Sequence, residues 1–474
     1  MKYPHSLNKT LISSKFLRFF LISSLVFIIY LLFSLYMVGP SKVINVSPSL
    51  LYLSEPTSIE HVVFGIASNK DSWPKRKDYV KLWWKPHRMR GCVFLDSMPQ
   101  NSDATMNDTE SSLPPTCISG DTSRFRYTWR GGLRSAIRVA RVVSETVALN
   151  HSDVRWFVFG DDDTVFFPDN LVKTLSKYDH RLWHYIGTNS EIYKQNRLFS
   201  FEMGFGGAGF AISYPLAKVL SKVFDSCLER YPHLYGSDGR IYACLAELGI
   251  SLTHEPGFHQ LDLRGDIFGL LASHPLRPLV SLHHVDHADP IFPNMTAYKA
   301  YEHLFKAVNF DSNRLLQQTV CYDRWFMWTI SVSWGYAVQI YGYHMYLPDA
   351  LPVQLTFRQW DKNRENPLAS VYTFNIREVH VNKCRRPTIF LMDSVSSSGD
   401  QIKSIYKRNL SEDCVPHRDS PWRLEEIRVF SKKLDLDIPQ APRRHCCDVL
   451  NSSAGAVMEI TLRECAEDEL IYMH

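Results

Sequence analysis

A run of 20 residues without a charged side chain, residues 19–38, constrains this chain more than any other feature of its sequence. As a helix, the run would span roughly 30 Å, the thickness of the hydrocarbon core of a bilayer. The segment before it, 1–18, has no acidic residue but four basic ones, Lys2, Lys9, Lys15 and Arg18. Because basic residues favour the cytosolic side, we expect a cytosolic tail at 1–18, a transmembrane signal anchor at 19–38 and a stem at 39–58. The alternative is a cleaved signal peptide, whose apolar core is normally only about 7–15 residues long.

The charges of the rest of the chain balance. The sequence of 474 residues has 53 basic and 49 acidic residues, and its formal excess of +4 equals the four basic residues of the tail. A neutral body lacks the basic field that binds the phosphates of nucleic acid, so we expect no nucleic-acid partner. With 45% hydrophobic and 22% charged residues, the chain has the composition of a globular protein.

The cysteines and the glycosylation motifs agree with a luminal body. The ten cysteines form an even set, and five of them follow residue 380, so we expect disulfides, above all within that C-terminal group. Cys-x-x-Cys pairs do not occur in the sequence, which disfavours a thiolate zinc site. Asn-x-Ser/Thr tripeptides, the acceptors of N-linked glycans, begin among other places at Asn107, Asn150, Asn294, Asn409 and Asn451.

Short apolar runs alternate with helical patterns between residues 60 and 250. We expect strands at 61–67, 91–96, 155–160 and 184–187, and helices at 73–85, 130–149, 170–178, 215–230 and 239–249. This alternation predicts an α/β layer structure with a mainly parallel sheet, in which ligands bind beyond the carboxyl ends of the strands. The polar segment 97–123 is typical of a surface loop. After residue 315, aromatic and Pro-punctuated runs at 325–334 and 338–346 indicate a smaller β-rich region.

Three consecutive aspartates, Asp161, Asp162 and Asp163, follow the apolar run 155–160. An Asp-x-Asp pair at the end of a strand can bind a divalent cation through oxygen and leave positions open for the phosphate oxygens of a nucleotide-sugar diphosphate. One alternative is a solvated acidic turn. Another is a phosphatase of the haloacid-dehalogenase type with Asp161 as the nucleophile, although in that fold the motif usually opens the domain, whereas here α/β segments precede it.

The segment 204–209 satisfies G-x-G-x-x-G, but the strand-like run 210–213 follows it. A dinucleotide-binding fold needs a helix there, so we reject that interpretation. The glycines, Gly207 among them, would instead let the backbone approach a ligand, or would form a tight turn.

Two further groups carry candidate chemistry. Asp238 precedes a helical pattern and is either a helix cap or a poised carboxylate. The cluster of His283, His284 and His287 offers imidazoles that could complete the metal shell of the aspartates.

Several of these segments, in their order along the chain, resemble the fringe-like branch of glycosyltransferase family 31. They most resemble the plant fringe-related proteins long labelled as a domain of unknown function. The resemblance covers residues 60–310 approximately. Its segments are HVVFGIAS (61–68), KRKDYVKLWWKP (75–86), RWFVFGDDDTVFFPDNL (155–171), YIGTNSE (185–191), GGAGFAIS (206–213), YGSDGR (235–240), EPGFHQLD (255–262) and LVSLHHVD (279–286).

The resemblance implies a GT-A-like nucleotide-sugar-binding domain with a mixed central sheet at 59–314, followed by a cysteine-containing region of unknown role at 315–474. It implies a type II Golgi membrane protein with a luminal catalytic domain. It further implies Mn²⁺-assisted, inverting transfer from a UDP-sugar donor to a hydroxyl of a glycan or glycoprotein acceptor.

The resemblance also assigns roles to residues. Asp163 would be the principal metal ligand, with Asp161 and Asp162 near the metal and the ribose and Gly207 near the nucleotide. A downstream histidine would add a ligand; His284 is the choice, with His283 and His274 as substitutes. Asp238 would be the catalytic base.

The chain departs from the family pattern at one position of this motif. The commoner pattern has a second acid after Asp238, where this chain has Gly239. The alternative function is therefore a catalytically inactive luminal protein that binds nucleotide sugars or glycans on the same fold.

Overall fold

The computed structural model describes residues 14–37, 55–98, 112–360, 370–409, 420–435, 443–450 and 455–473. Most of the tail predicted at 1–18 and nearly all of the stem predicted at 39–58 lie outside these ranges. By contacts, the chain divides into two units, Met1–Pro56 and Thr57–His474.

In the first unit, one helix covers most of the charge-free run. This helix, α1, comprises Ser14–Met37, and its side chains at 19–34 are exposed. Of the helices in the described ranges, none was found to be both long enough and apolar enough to cross a membrane. The signal anchor at 19–38 stays a prediction.

The second unit contains a mixed, seven-stranded sheet in the order β3-β2-β1-β4-β7-β6-β8. Strands β1 to β4 pair in parallel, whereas β7 is antiparallel to both β4 and β6. The α/β class with a mixed sheet is confirmed. The strands of this part are β1 Val62–Ala67, β2 Arg90–Leu95, β3 Thr116–Ile118, β4 Trp156–Asp161, β5 Val165–Phe166, β6 Tyr185–Gly187, β7 Phe210–Ser213, β8 Thr253–His254, β9 Leu263–Gly265 and β10 Ser281–Leu282.

Helices cover the sheet on both faces, which is why its central strands are apolar throughout. Alternate residues of β4 point to opposite faces: Trp156 and Val158 belong to one apolar cluster, and Phe157 and Phe159 belong to a second one. Helix α2 packs in the first cluster, and α3, α6 and α7 pack in the second. The helices are α2 Trp73–Trp83, α3 Ser135–Ala148, α4 Pro168–Leu175, α5 Tyr193–Leu198, α6 Tyr214–Arg230, α7 Ser237–Glu247, α8 Phe268–Leu271, α9 Ala297–Asp311 and α10 Leu347–Ala350.

The C-terminal region forms an eight-stranded sheet in the order β11-β12-β13-β17-β18-β19-β21-β20. Its apolar residues, such as Ile330 and Ile460, join the same cluster as Val158 of β4. In addition, β15 pairs antiparallel with β9 and so places residues 357–359 beside the first part of the chain. The strands are β11 Gln318–Asp323, β12 Trp328–Ser333, β13 Ala337–Tyr341, β14 Val353–Gln354, β15 Phe357–Gln359, β16 Ile376–Arg377, β17 Thr388–Ser398, β18 Gln401–Arg408, β19 Glu426–Lys432, β20 Cys446–Leu450 and β21 Val457–Arg463.

One expectation needs correction. The predicted loop at 97–123 contains β3, which pairs in parallel with β2 and is tied to it by the disulfide Cys92–Cys117. The expected disulfides are confirmed, and they occur both within and outside the C-terminal group of cysteines. Cys446 bonds Cys465 within that group, but Cys447 bonds Cys321, and Cys227 bonds Cys244 on the helices α6 and α7. Pairing follows spatial proximity, which the order of cysteines along the chain does not reveal.

Gly65 of β1 lies where the sheet and α3 approach most closely. A Cβ atom there would lie 2.2 Å from Thr146 Oγ1 and 2.9 Å from the Phe159 ring. We expect Gly65→Ala to reduce the free energy of unfolding by about 1–3 kcal/mol, the usual cost of overpacking a core. Denaturant unfolding measures this, with Gly342→Ala as the control because its Cβ would meet only Pro421, at 3.6 Å. Equal stability of the two variants would contradict the packing described for Gly65.

Candidate functional site

The site begins at the carboxyl end of β4. This strand is parallel to β1, with Asp161 in register with Ala67 at the same edge of the sheet. The Asp161 N–H donates to Thr164 Oγ1 (2.9 Å), and the Thr164 hydroxyl donates to the carbonyl of Gly207 (2.7 Å). Thr164 thereby fixes the aspartate turn against the glycine-rich segment. Both lie at the carboxyl end of β4, where ligands of α/β sheets usually bind.

Asp162 is held by side chains that follow β1. Its Oδ2 accepts hydrogen bonds from the hydroxyls of Ser68 (2.6 Å) and Ser72, and its Oδ1 lies 3.2 Å from the Arg76 guanidinium. Asp162 is 3% exposed and Asp163 only 1%. The alternative of a solvated acidic turn is therefore wrong for these two residues.

Arg76 of α2 balances part of this negative charge. Its Nη1 lies 3.2 Å from both Asp162 Oδ1 and Asp163 Oδ2, and its Nη2 lies 2.7 Å from Asp286 Oδ2. Although burial opposes its charge, these carboxylates raise the pKa of Arg76 above its ordinary value. A fixed cation is thus already built into the outer side of the aspartate cluster.

The histidine that faces the aspartates is His283. Its Nε2 lies 3.2 Å from Asp163 Oδ1 and 3.7 Å from Asp161 Oδ2. Its Nδ1 lies 3.2 Å from the carbonyl of Gln260 and donates to it, so that Nε2 faces the carboxylates: a protonated Nε2 donates to them, and an unprotonated one is free to bind a cation. This geometry makes His283, and not His284, the imidazole of the cluster.

His284 lines the cleft beside His283 but is not part of the cation-binding group. The Nδ1 of His284 is 3.5 Å from Asp262 Oδ1, and its ring stacks on Trp360 with centroids 4.3 Å apart. The choice of His284 therefore needs correction, because its ring lies between His283 and Trp360 and its nearest carboxylate is that of Asp262. His274 packs instead against the ring of His259, at 5.1 Å.

The titration of the cluster reflects its crowding. Burial, opposed by His283 and reinforced by the neighbouring aspartates, raises the pKa of Asp161 to about 7. Burial would also raise the pKa of Asp163, but His283 and Arg76 hold it below its usual range. Burial would lower the pKa of His283, yet Asp163 and Asp161 raise it to about 9. Without another cation, the cluster is expected to carry protons near neutral pH.

The residues fit a divalent cation. One oxygen each of Asp161 and Asp163 and one nitrogen of His283 all lie within 4.8 Å of one another. Among the described residues, the buried Oδ1 of Asp163 has no close polar partner other than His283 Nε2, at 3.2 Å. Two carboxylates and an imidazole are ligands that Mn²⁺ and related cations accept. Asp163 also belongs to a second such group with Asp286 and His287, on the side that Arg76 contacts.

A cleft of about 930 Å³ opens beside this cluster. Asp161, Asp162, Gly207 and Asp238 all line it, so the structure brings the predicted site residues together, with His283 in place of His284 as the histidine of the cluster. This volume is within the range of about 300–1,000 Å³ that is typical of small-molecule sites.

Asp238 is not the cap of its helix. Helix α7 begins at Ser237 with Gly236 at the N-cap position. The carboxylate of Asp238 instead accepts hydrogen bonds from the Gly206 backbone N–H and from the Ser237 hydroxyl (3.1 Å). Burial raises the pKa of Asp238 despite these hydrogen bonds. It is a carboxylate in the wall of the cleft, fixed by the glycine-rich segment.

Two glycines of the cleft differ in the space around them. A Cβ on Gly207 would lie 2.1 Å from His283 Cε1, so the bare backbone here makes room for the imidazole. A Cβ on Gly239, where the family pattern has an acid, would meet only Leu234, at 3.9 Å. The site therefore has room for a side chain at 239 that this chain lacks.

Sequence reasoning missed three residues of the cleft. The buried carboxylate of Asp262 accepts from Ser190 (2.6 Å), and Gln260 accepts from the Ala208 N–H (2.8 Å). Both lie in the segment 255–262, which contributed to the family resemblance but to whose residues no role was assigned. Trp360 had no signal, because only the pairing of β15 with β9 places it here.

Trp360 completes a stacked column of rings. The rings of His283 and His284 lie 3.8 Å apart, Trp360 follows at 4.3 Å, and the Arg264 guanidinium lies 4.2 Å from the Trp360 ring. The C-terminal region thus contributes a side chain that supports the histidine pair.

The family described as "Protein of unknown function, DUF604" matches residues 195–447. Curated proteins give no match to the chain. Among solved structures, the chain is similar to the galactosyltransferase LgtC in complex with donor and acceptor sugar analogues, at 14% identity and a TM-score of 0.32, over 52% of this chain and 94% of that one. An active-site mutant of LgtC gives 12% identity and a TM-score of 0.31, over 52% and 95%.

The glycosyltransferase GlyE of Streptococcus pneumoniae TIGR4 gives 11% identity and a TM-score of 0.32, over 52% of this chain and 60% of that one. With TM-scores of 0.31 and 0.32, these likenesses support no inference about function.

Gly207→Ala tests whether the backbone makes room for His283. The added methyl group must displace the imidazole, so we expect the affinity for Mn²⁺ to fall by about 10–100-fold, as when the groups that orient metal ligands are disturbed. Calorimetric titration of the metal-free protein with Mn²⁺ measures this. Gly239→Ala lines the same cleft with room for its methyl group and should bind normally. Normal Mn²⁺ affinity in both variants would contradict the assignment of His283.

Proposed function

We propose that this chain, which belongs to the family described as protein of unknown function DUF604, is a metal-dependent, inverting glycosyltransferase. It transfers a sugar from a UDP-sugar to a hydroxyl of a glycan or glycoprotein acceptor. The observation that carries the proposal is the convergence on one cleft of a cation-binding group (Asp161, Asp163 and His283) and a separate, partly buried carboxylate (Asp238).

In this proposal, Asp161, Asp163 and His283 hold Mn²⁺ or another divalent cation. The bound cation supplies positive charge that stabilises the diphosphate as it leaves. Asp162 is satisfied by Ser68, Ser72 and Arg76, and its proposed role is to lie near the ribose of the nucleotide. Gly207 exposes bare backbone to the same space.

Asp238 is the proposed catalytic base. The acceptor hydroxyl gives its proton to the carboxylate while its oxygen attacks the anomeric carbon. The new carbon–oxygen bond forms on the face opposite the departing UDP, whose bond to the sugar breaks, so the configuration inverts. The Gly206 N–H orients the carboxylate. Because burial raises its pKa, Asp238 is a better proton acceptor than an exposed aspartate.

The second candidate function is a catalytically silent protein that binds nucleotide sugars or glycans with the same cleft. The observation that favours it is the empty space beside Gly239, which would accommodate the second acid of the commoner pattern. Binding without turnover would be its signature.

We also propose that the chain is a type II membrane protein of the Golgi, with the cleft on the luminal side. The support is the charge-free run at 19–38 and the basic segment before it. Disulfides such as Cys92–Cys117 and Cys227–Cys244 agree with an oxidising compartment.

Two variants of the full-length chain separate binding from catalysis. Asp163→Ala should abolish the Mn²⁺-dependent binding of UDP-sugars, because the cation loses its central ligand. Asp238→Asn should bind UDP-sugars normally but lose about 10²–10⁴-fold in UDP release, the usual contribution of a general base. Calorimetry and UDP release, each with Mn²⁺ and with EDTA, measure these effects, with Asp179→Asn as control because Asp179 does not line the cleft.

Each other outcome has a meaning. Binding by the wild type without UDP release, even with acceptor glycans present, favours the silent protein. Unchanged UDP-sugar binding in a folded Asp163→Ala variant removes the cation site. A phosphoryl group trapped on Asp161 would point to the phosphatase alternative instead.

The membrane proposal has its own test. Expressed in cells, the full-length chain should stay in the membrane fraction after an alkaline carbonate wash, because the apolar run is retained. Replacing Leu25 and Ile28 with lysine should release it, whereas replacing them with valine should not. A wild-type chain that is cleaved after the apolar run and secreted would contradict the anchor.

A further inference from the structure

A second cavity, of about 570 Å³, shares the segment 255–262 with the cleft: Pro256, Phe258 and His259 line the cavity, and Gln260 and Asp262 line the cleft. One part of its wall comes from the strand and loop residues 188–191, 256–259 and 270–275. The other part comes from the C-terminal region, at 348–353 and 373–375. The cavity therefore exists only because the two regions pack together, and the proposed catalysis does not use it.

Three buried polar side chains line this cavity without satisfying their hydrogen-bonding atoms. They are His274 (2% exposed), His259 (7%) and Glu191 (7%). Among the described residues, the Nε2 of His259 and the Oε2 of Glu191 have no hydrogen-bond partner, and the ring of His274 has only an interaction with the backbone of Pro275. Buried polar atoms are rarely left without partners, because desolvation is costly. Such a concentration at one cavity wall points to a ligand with matching polar groups.

The charges of these groups disfavour an ion. His259 Nδ1 lies 3.4 Å from Glu191 Oε1, so the carboxylate already has a partner on one side. The ligand atoms of Glu191, His259 and His274 do not form one of the compact groups that could hold a metal ion. A bound anion would face the Glu191 carboxylate, and a cation would face the guanidinium of Arg444, which also lines the cavity.

A neutral imidazole suits hydroxyl groups. Burial holds the pKa of His274 well below its ordinary value, so the ring is uncharged near neutral pH. A neutral imidazole has one N–H donor and one acceptor nitrogen, and a hydroxyl can pair with either. The carboxylate of Glu191 accepts a hydrogen bond from a hydroxyl equally well.

Apolar side chains form much of the remaining wall. Phe258, Leu270 and Phe374 contribute apolar surface to this wall. Four prolines also line it: Pro256, Pro275, Pro348 and Pro352. A molecule that combines several hydroxyls with carbon–hydrogen faces matches both kinds of wall. A sugar ring has this combination.

We propose that this cavity, lined by Glu191, His259 and His274, is a binding site for a neutral saccharide unit, separate from the cleft. The two sites are adjacent, because Ser190 lines the cavity and donates to Asp262, which lines the cleft (2.6 Å). Its volume is sufficient for a small-molecule ligand. The proposal goes beyond the proposed transfer reaction and does not depend on it.

Saturation-transfer NMR on the full-length chain tests this site with methyl glycosides of glucose, galactose, xylose and arabinose as probes. At least one probe should bind in the absence of divalent cations. The affinity should fall by about tenfold or more in His274→Leu, because the polar partner is lost. A second variant, Leu351→Trp, should fill the cavity from its rim and weaken binding without changing a polar side chain.

The controls place the sugar in one cavity or the other. Asp163→Ala and saturating UDP with EDTA should leave the binding unchanged, and so should replacing the distant His233 with leucine. Binding at wild-type strength in folded His274→Leu and Leu351→Trp variants would overturn the proposal, as would the absence of binding by every probe. Loss of binding in Asp163→Ala would place the sugar in the cleft and also overturn it. Failure of UDP-sugar transfer would leave these results unaffected.

Discussion

The site depends on how three adjacent carboxylates at the end of a buried strand are prevented from repelling one another. Each has a different solution: Asp162 is satisfied by two hydroxyls and Arg76, Asp163 lies between Arg76 and His283, and Asp161 remains half open to the cleft. Arg76 already supplies positive charge on the outer side, so the inner side, at Asp161 and Asp163, is the better place for an additional positive charge. The compensation already built into the fold therefore favours one position for a cation.

Much of this arrangement followed from local sequence patterns. The apolar strand β4 and the alternation of strands and helices indicated that the aspartates lie at a carboxyl edge, and the structure places them there. Gly207 and Asp238 reach the same cleft, because the glycine-rich segment leads into β7 beside β4. The position of the aspartates needed only strand order and the chemistry of single residues, whereas the roles of Gly207 and Asp238 were implied by the family resemblance.

The partners were not predictable in the same way. The choice between His283 and His284 depends on which of two stacked rings faces the aspartates: His283 contacts Asp163, whereas His284 lies nearer Asp262. Arg76 is one of several basic residues of α2, and the sequence does not indicate that its side chain contacts Asp286, which is 210 residues away. Trp360 is far away in sequence, and only the β15–β9 pairing makes it a neighbour. Long-range pairing leaves no periodic or local signature.

The shared apolar cluster and the strand pair β9–β15 make the two halves of the main unit interdependent. A chain that stopped after α9 would expose one wall of its interior to water and would leave the ring of His284 without its stacking neighbour. The C-terminal region is thus not an independent module that could be removed from the N-terminal α/β part without loss of its packing. Recombination or gene fusion at this junction would have to supply an equivalent surface, so the two halves are expected to be inherited together.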